Sequence, residues 1–187
     1  MKRSLITLLS LLITMHIVVA QHVHESGIEA KAPIDTTKKS IPKEVHAQLG
    51  DSHHMIYYYA PAVRGRDIWG GLVPYGEVWV TGAHRATHWQ FDKDIMIGTQ
   101  RIPAGKYGVF TIPGKKEWVF ILNKNWDQHL ADDYDQNEDI IRIKVKAGKS
   151  NKNQERLAYY LNETGNKQNA LIMSWEKIRI KVSFANL

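Results

Sequence analysis

Alternation of apolar and polar residues near the C-terminus constrains this chain more than any other feature. Ile178, Ile180, Val182 and Phe184 alternate with Arg179, Lys181 and Ser183. A period of two separates a buried face from a wet one only in an extended strand. Ile141, Ile143 and Val145 alternate with Arg142, Lys144 and Lys146 in the same way. Further β-prone runs are Met55 to Tyr59, Glu77 to Thr81, Thr87 to Phe91, and Asp94 to Ile102 as two short strands around Gly98-Thr99. Lys106 to Ile112 meets Glu117 to Leu122 across the turn Pro113-Gly114, and Arg156 to Leu161 meets Ala170 to Trp175 over the polar loop Asn162 to Asn169. About ten short strands, with no amphipathic helix after residue 50, predict an all-β fold: a single-domain antiparallel β-sandwich or flattened barrel spanning residues 51–187.

The segments before it are of other kinds. Met1-Lys2-Arg3-Ser4 leads into an apolar run from Leu5 to Val19 that ends at Ala20. That order of basic, apolar and small residues is the pattern of a secretory signal peptide over residues 1–20, cleaved after Ala20. The expected localisation is therefore secreted or periplasmic, with no membrane span left after cleavage. Residues 21–50 are poor in large apolar side chains and contain Pro33, Pro42, Lys31, Lys38, Lys39 and Lys43, a composition that predicts a disordered N-terminal arm. His22 and His24 within it are potential metal ligands near the new amino terminus. Loss of Lys2 and Arg3 leaves 23 basic against 19 acidic residues, lowering the formal charge from +6 to +4. Those charges are spread along the chain, so the concentrated basic face of a nucleic-acid binder is missing. The absence of cysteine excludes disulfides and thiolate chemistry.

The candidate site lies between Ala60 and Pro113, which holds eight of the 13 glycines and four of the 6 prolines together with Trp69, Trp79 and Trp89. Glycine is needed where φ is positive or where two backbones approach closely, and aromatic rings beside Arg or His furnish binding pockets. Arg64 and Arg66 flank Gly65 and offer planar donor forks for a carboxylate or phosphate. Trp69, Trp79 and Trp126 offer apolar stacking faces, and His84 with Thr81 would orient a ligand. Asn123 to His129 would fold over the site as a lid with Trp126 facing inward.

Five motifs in order, Arg64-Gly-Arg-x-Ile-Trp-Gly-Gly-Leu-Val-Pro-Tyr75, Val78-Trp-x-Thr-Gly-Ala83, Ile102-Pro-Ala-Gly-Lys-Tyr107, Phe110-Thr-Ile-Pro-Gly114 and Trp118-x-x-Ile-Leu-Asn123, resemble the bacterial family catalogued as domain of unknown function 2911. The resemblance covers most of residues 50 to 185. It implies secreted or periplasmic proteins of Gram-negative bacteria with a mostly β fold, and no activity. Where many members read Gly-Ala-Asn-Glu-Ala-Thr, this chain has Gly82-Ala83-His84-Arg85-Ala86-Thr87, followed by His88. Any role of that Asn-Glu pair therefore does not transfer. The family also tends to have Asp at the position of Asp139, as an anchor for the turn before its strand.

Other chemistries find less support. His84 and His88 have the spacing of a helical zinc pair, but in an extended strand they would lie about 13 Å apart, too far to share an ion. The remaining imidazoles beyond residue 50 are His53, His54 and His129, and no metal site or cofactor is expected. Asp132 to Asp139 resembles a calcium loop but has Glu138 where glycine is needed and Lys144 where the bidentate Glu should be. It reads as a solvated acidic loop. No serine has a nucleophile-elbow context, and Asp67 with Glu77 is the acidic pair within residues 64–84, the densest part of the Gly/Trp stretch, that glycoside hydrolysis would use. The sequence thus predicts a module that binds a small polar or anionic ligand, a sugar or a carboxylate. A hydrolase or isomerase, metal-dependent or using His84 as base with Asp67 or Glu77, is the rival reading, and a structural envelope protein without ligand is the third.

Overall fold

The structure, a computed structural model, describes residues 39–187; the expected signal peptide and residues 21–38 lie outside them. Ten strands form two antiparallel sheets: β1 (Ser40–Leu49), β2 (Ser52–Pro61), β3 (Thr87–Phe91), β4 (Ile95–Ile97), β5 (Gln100–Ile102), β6 (Gly105–Ile112), β7 (Glu117–Asn123), β8 (Asp139–Lys146), β9 (Gly148–Gly165) and β10 (Gln168–Asn186). Six strands make one sheet in the order β1-β2-β3-β6-β7-β8, and four make the other in the order β5-β4-β10-β9. Both sheets keep free edges, so the fold is the sandwich and not the barrel. Alternation decides which residues meet between them. Ile56, Tyr58, Trp89, Phe91, Val109, Phe120 and Leu122 come from the larger sheet. Leu157, Tyr159, Met173, Ile180, Val182 and Phe184 come from the smaller, and all belong to one buried cluster.

Strand β1 corrects the expected arm. Residues 40–49 are paired along their whole length with β2, from Ser40 opposite Pro61 to Leu49 opposite Ser52. Ile41 and Leu49 are buried, with Val45 and Ala47 half-buried on the same face, while Pro42, Glu44, His46 and Gln48 point outward and are exposed. The polar half of the alternation dominates the composition and hides the strand. Pro42 and Lys43 are tolerated because β1 lies at a sheet edge, where a missing backbone donor costs little.

Two further differences are local. Glu77 to Thr81 forms no strand, only a bridge in which Trp79 and Thr111 exchange backbone hydrogen bonds of 2.8 and 3.0 Å. The expected 162–169 loop is strand almost throughout, closed by Asn166 and Lys167 at φ 51° and 58°. Two left-handed residues make the tight turn whose twist matches a hairpin. Ala170 to Trp175 and Ile178 to Phe184 are one strand, bent at Glu176, whose φ is 51° and where the register shifts.

A buried histidine joins the sheets. His54, fully buried, accepts a hydrogen bond at Nδ1 from Trp89 Nε1 (3.3 Å) and donates from Nε2 to Asn186 Oδ1 (3.1 Å). Asn186 Nδ2 donates to Leu49 O at 2.7 Å. One neutral imidazole thus satisfies groups on β2, β3 and β10. Burial holds its pKa below the ordinary value, against the opposing pull of Asn186 and Asp92.

A folded pKa below the unfolded one means that the unfolded chain binds more protons as the solution is acidified. Stability from His54 is complete above about pH 6.5 and is lost as pH falls below that value. Between pH 7.5 and 5.5 the melting temperature should therefore decline. His54→Gln, which cannot charge, should start lower and decline less steeply, whereas equal slopes would remove His54 as the source.

Candidate functional site

Four tryptophans hold the Gly-rich segment against the sandwich. Trp69 packs edge-on to Trp118 of β7 at 4.8 Å, to Trp175 of β10 at 5.7 Å and to Trp79 at 5.7 Å, and Trp79 stacks on Trp175 at 5.8 Å. The chain reaches this packing through Gly70-Gly71. Gly70 sits at φ +84°, and a Cβ on Gly71 would lie 2.5 Å from Asp67 O. The turn is closed by Leu72 N donating to Asp67 O at 2.9 Å and Val73 N to Ile68 O at 2.8 Å. The indole N–H groups of Trp69 and Trp175 are buried without a hydrogen-bond partner, and the edge-on rings offer only weak π acceptors in compensation.

Beside the quartet opens a cavity of about 420 Å³. Leu72, Val73, Trp79, Val80, Leu130 and Trp175 give it apolar walls, and Lys39, Ser40, Arg66 and His84 give it polar groups. Among the described residues no carboxylate lines it, so their charged groups in the lining carry one sign. Arg66 is anchored by Nε donating to Val63 O at 3.1 Å and Nη2 donating to Ala62 O. Two of five donors are thereby engaged with backbone carbonyls.

His84 reaches the cavity from a strained turn. Thr81 and His84 both have positive φ, 51° and 62°, and left-handed backbone in a β-branched residue such as Thr81 costs on the order of 1–3 kcal/mol. A closed set of hydrogen bonds offsets that cost. Thr81 Oγ1 contacts Trp79 O and Thr111 Oγ1, and Thr81 O accepts from Thr87 Oγ1 at 3.0 Å and from Tyr159 O–H at 2.7 Å. Trp79 Nε1 donates to Gly82 O at 3.1 Å, and Leu130 N donates to His84 O at 2.7 Å. Thr81 is buried beneath the cavity and positions the turn without lining the cavity. His84 Nε2 lies 2.6 Å from Ser40 Oγ, and the ring sits edge-on to Tyr59 at 5.2 Å.

Of the residues expected from sequence, the cavity therefore brings together Arg66, Trp79 and His84. Trp69 lines a neighbouring hollow of about 510 Å³ with Arg66, Asp67, Tyr75 and Glu176. Arg64 is exposed and outside the lining, its backbone N–H donating to Glu155 Oε1 at 2.8 Å. Trp126 is elsewhere, on the outer face of the larger sheet, with Lys106 Nζ 3.5 Å above its ring and His88 at 5.3 Å. The 125–126 backbone lies close over Gly108, where a Cβ would meet Asn125 O and Trp126 Cα at 3.2 Å. The segment is thus packed on the sheet and does not close over the cavity as a lid. Asp67 and Glu77 are exposed, and neither is bonded to His84. Ser40, Lys39, Leu130 and Trp175 were missed, because only the folded chain brings them to His84.

The outer face carries a second row that alternation in Tyr57 and Tyr59 could have signalled. Tyr59 is edge-on to Tyr57, Tyr57 stacks on His88 at 5.1 Å, and His88 meets Trp126. Burial, then the nearby Lys106 charge, pushes the His88 pKa down to about 4, and burial with the bond to Tyr59 pushes Tyr57 up to about 12. His84 and His88 have these separate partners, and no group of three or more His, Cys, Asp or Glu among the described residues is arranged to hold a metal. In the acidic loop Asp132, Asp133 and Asp135 are exposed. Asp139 is different: its largely buried carboxylate accepts from Asn123 Nδ2 (2.8 Å), Tyr134 O–H (2.7 Å) and Arg142 Nη1 (2.7 Å), fastening the loop to β7 and β8.

No helix among the described residues is long and apolar enough to cross a membrane. No curated protein and no solved structure matches the chain. A family model does match, over residues 40–184, beginning at the first residue of β1. By that match the chain belongs to the family described as protein of unknown function (DUF2911).

Proposed function

We propose that the protein is an exported binding module that takes a small amphipathic anion, a carboxylate with an apolar body, into the cavity at the tryptophan quartet. The observation that carries this reading is the lining: apolar walls, with Lys39, Arg66 and His84 as the charged or titratable groups and no carboxylate among the described residues. Its volume falls in the range of small-molecule sites, about 300–1,000 Å³. In such a site Trp79 and Trp175 would take the apolar body, and Lys39 and the remaining Arg66 donors would take the carboxylate by charge-assisted bonds. His84 would add a ring nitrogen at the rim. A sugar is served less well, because these walls supply few neutral donors and acceptors.

Calorimetric titration with straight-chain and aromatic carboxylates, and with neutral sugars, tests the reading. Lys39→Gln and His84→Asn should each weaken carboxylate binding by about tenfold, roughly 1.4 kcal/mol, with the melting temperature nearly unchanged, since asparagine accepts the left-handed backbone. Preference for sugars would sink the carboxylate assignment. A flat screen would favour the structural envelope role.

Hydrolysis is a second reading, favoured by one contact, the 2.6 Å approach of Ser40 Oγ to His84 Nε2. That is the reach at which an imidazole can take a hydroxyl proton. Ester turnover abolished by Ser40→Ala as well as by His84→Asn would replace the binding reading, and its absence across a panel of esters leaves binding in place.

Export is proposed from the basic, apolar and small-residue order of residues 1–20. Intact-mass measurement of protein recovered from the periplasm or medium should show a chain beginning at Gln21, and a mature chain that retains Met1 would overturn it.

A further inference from the structure

Away from the cavity, the outer face of the β1–β2 hairpin brings two imidazoles together. We propose that His46 and His53 form a surface site for a divalent transition-metal ion, with Cu²⁺ favoured. The hairpin is closed at Gly50-Asp51, with Leu49 opposite Ser52, His46 opposite Met55 and His53 opposite Gln48. His46 and His53 are therefore diagonal neighbours on the outer face, while His54 points into the core. Their nitrogens, His46 Nδ1 and His53 Nε2, lie 3.4 Å apart, with ring centroids 5.4 Å apart and planes tilted by 33°. Two imidazole nitrogens each about 2.0–2.1 Å from one ion are about 3.4 Å apart at the tetrahedral angle and about 2.9 Å apart at the right angle of a tetragonal Cu²⁺ site, a difference that small rotations of two exposed side chains close. The ligand spacing is present before any ion arrives.

Two carboxylates complete the case. Glu44 Oε2 is 3.3 Å from His46 Nε2, and a carboxylate on the far nitrogen fixes the tautomer that leaves Nδ1 free to ligate. Asp92, holding His53 N at 2.8 Å and Ser52 Oγ at 3.0 Å through Oδ1, adds negative charge beside the second imidazole. For His53 to ligate through Nε2, its ring proton resides on Nδ1. Only two protein nitrogens converge, and both side chains reach solvent, so water fills the other positions. Such a site follows the general affinity order and takes Cu²⁺ ahead of Ni²⁺ and Zn²⁺.

The test is titration of the purified protein with CuCl₂, NiCl₂ and ZnCl₂ in a non-coordinating buffer, in a background of His22→Ala and His24→Ala to remove two imidazoles outside the described residues. A single Cu²⁺ equivalent is expected, weakened about tenfold or more by His46→Ala and by His53→Ala. Glu44→Gln should also weaken it by about tenfold, with the melting temperature of the metal-free protein unchanged. Absence of binding in the parent, or unchanged binding in either histidine variant, overturns the site.

Discussion

Mutual packing of Trp69, Trp79, Trp118 and Trp175 is the interaction on which the rest of the binding end depends. Two of these rings belong to sandwich strands and two to the segment between β2 and β3. The contact supplies most of the aromatic packing that holds that glycine-rich stretch against the sandwich, beside the bridge of Trp79 to Thr111 and the buried Ile68 and Val73. Each aromatic pair contributes about 0.5–1.5 kcal/mol beyond the area it buries. Those pairs act together with the apolar area the rings bury against the cost of two indole donors without partners. Trp79 and Trp175 then serve twice, as packing and as cavity wall, so the cavity has its shape before any ligand enters it.

How much of this was legible in the sequence depended on distance along the chain. Alternation in 141–145 and 178–184 reports which face of a strand is buried, a local property, and the structure bears those strands out. The Pro-Gly turn between β6 and β7 is equally local. Strand β1 was hidden because an edge strand with one wet face has the composition of a tail. The site was half visible: the Gly/Trp stretch and His84 were found, but Trp175 joins the wall from far along the chain and Ser40 meets His84 only through pairing of β1 with β2. Trp126 was placed in the site by residue type. The glycine at 108 instead lets its loop lie flat on the other face of the larger sheet.

The histidines show how position sets chemistry for one side chain. Inside the sandwich His54 is neutral because burial penalises the cation and because its two neighbours want one acceptor and one donor. His88, on the outer face but covered by Tyr57 and Trp126, is held neutral by burial and by Lys106. His46 and His53 stand in water near carboxylates, where a bound cation is welcome. Adjacent residues of one strand, His53 and His54, thus serve opposite ends because the strand period sends them to opposite faces.

Closure of the smaller sheet carries a consequence for when the fold can form. The hairpin of β4 and β5 pairs with Ala185 and Asn186 at the end of β10, and Asn186 also reaches back to His54, 132 residues earlier. By contrast, the larger sheet is built mostly from successive neighbours. A ribosome must therefore deliver residues 185 and 186 before the second layer can lock onto the first. Until then the β4–β5 hairpin has no partner strand in the smaller sheet, and the part of the sandwich that it covers stays open.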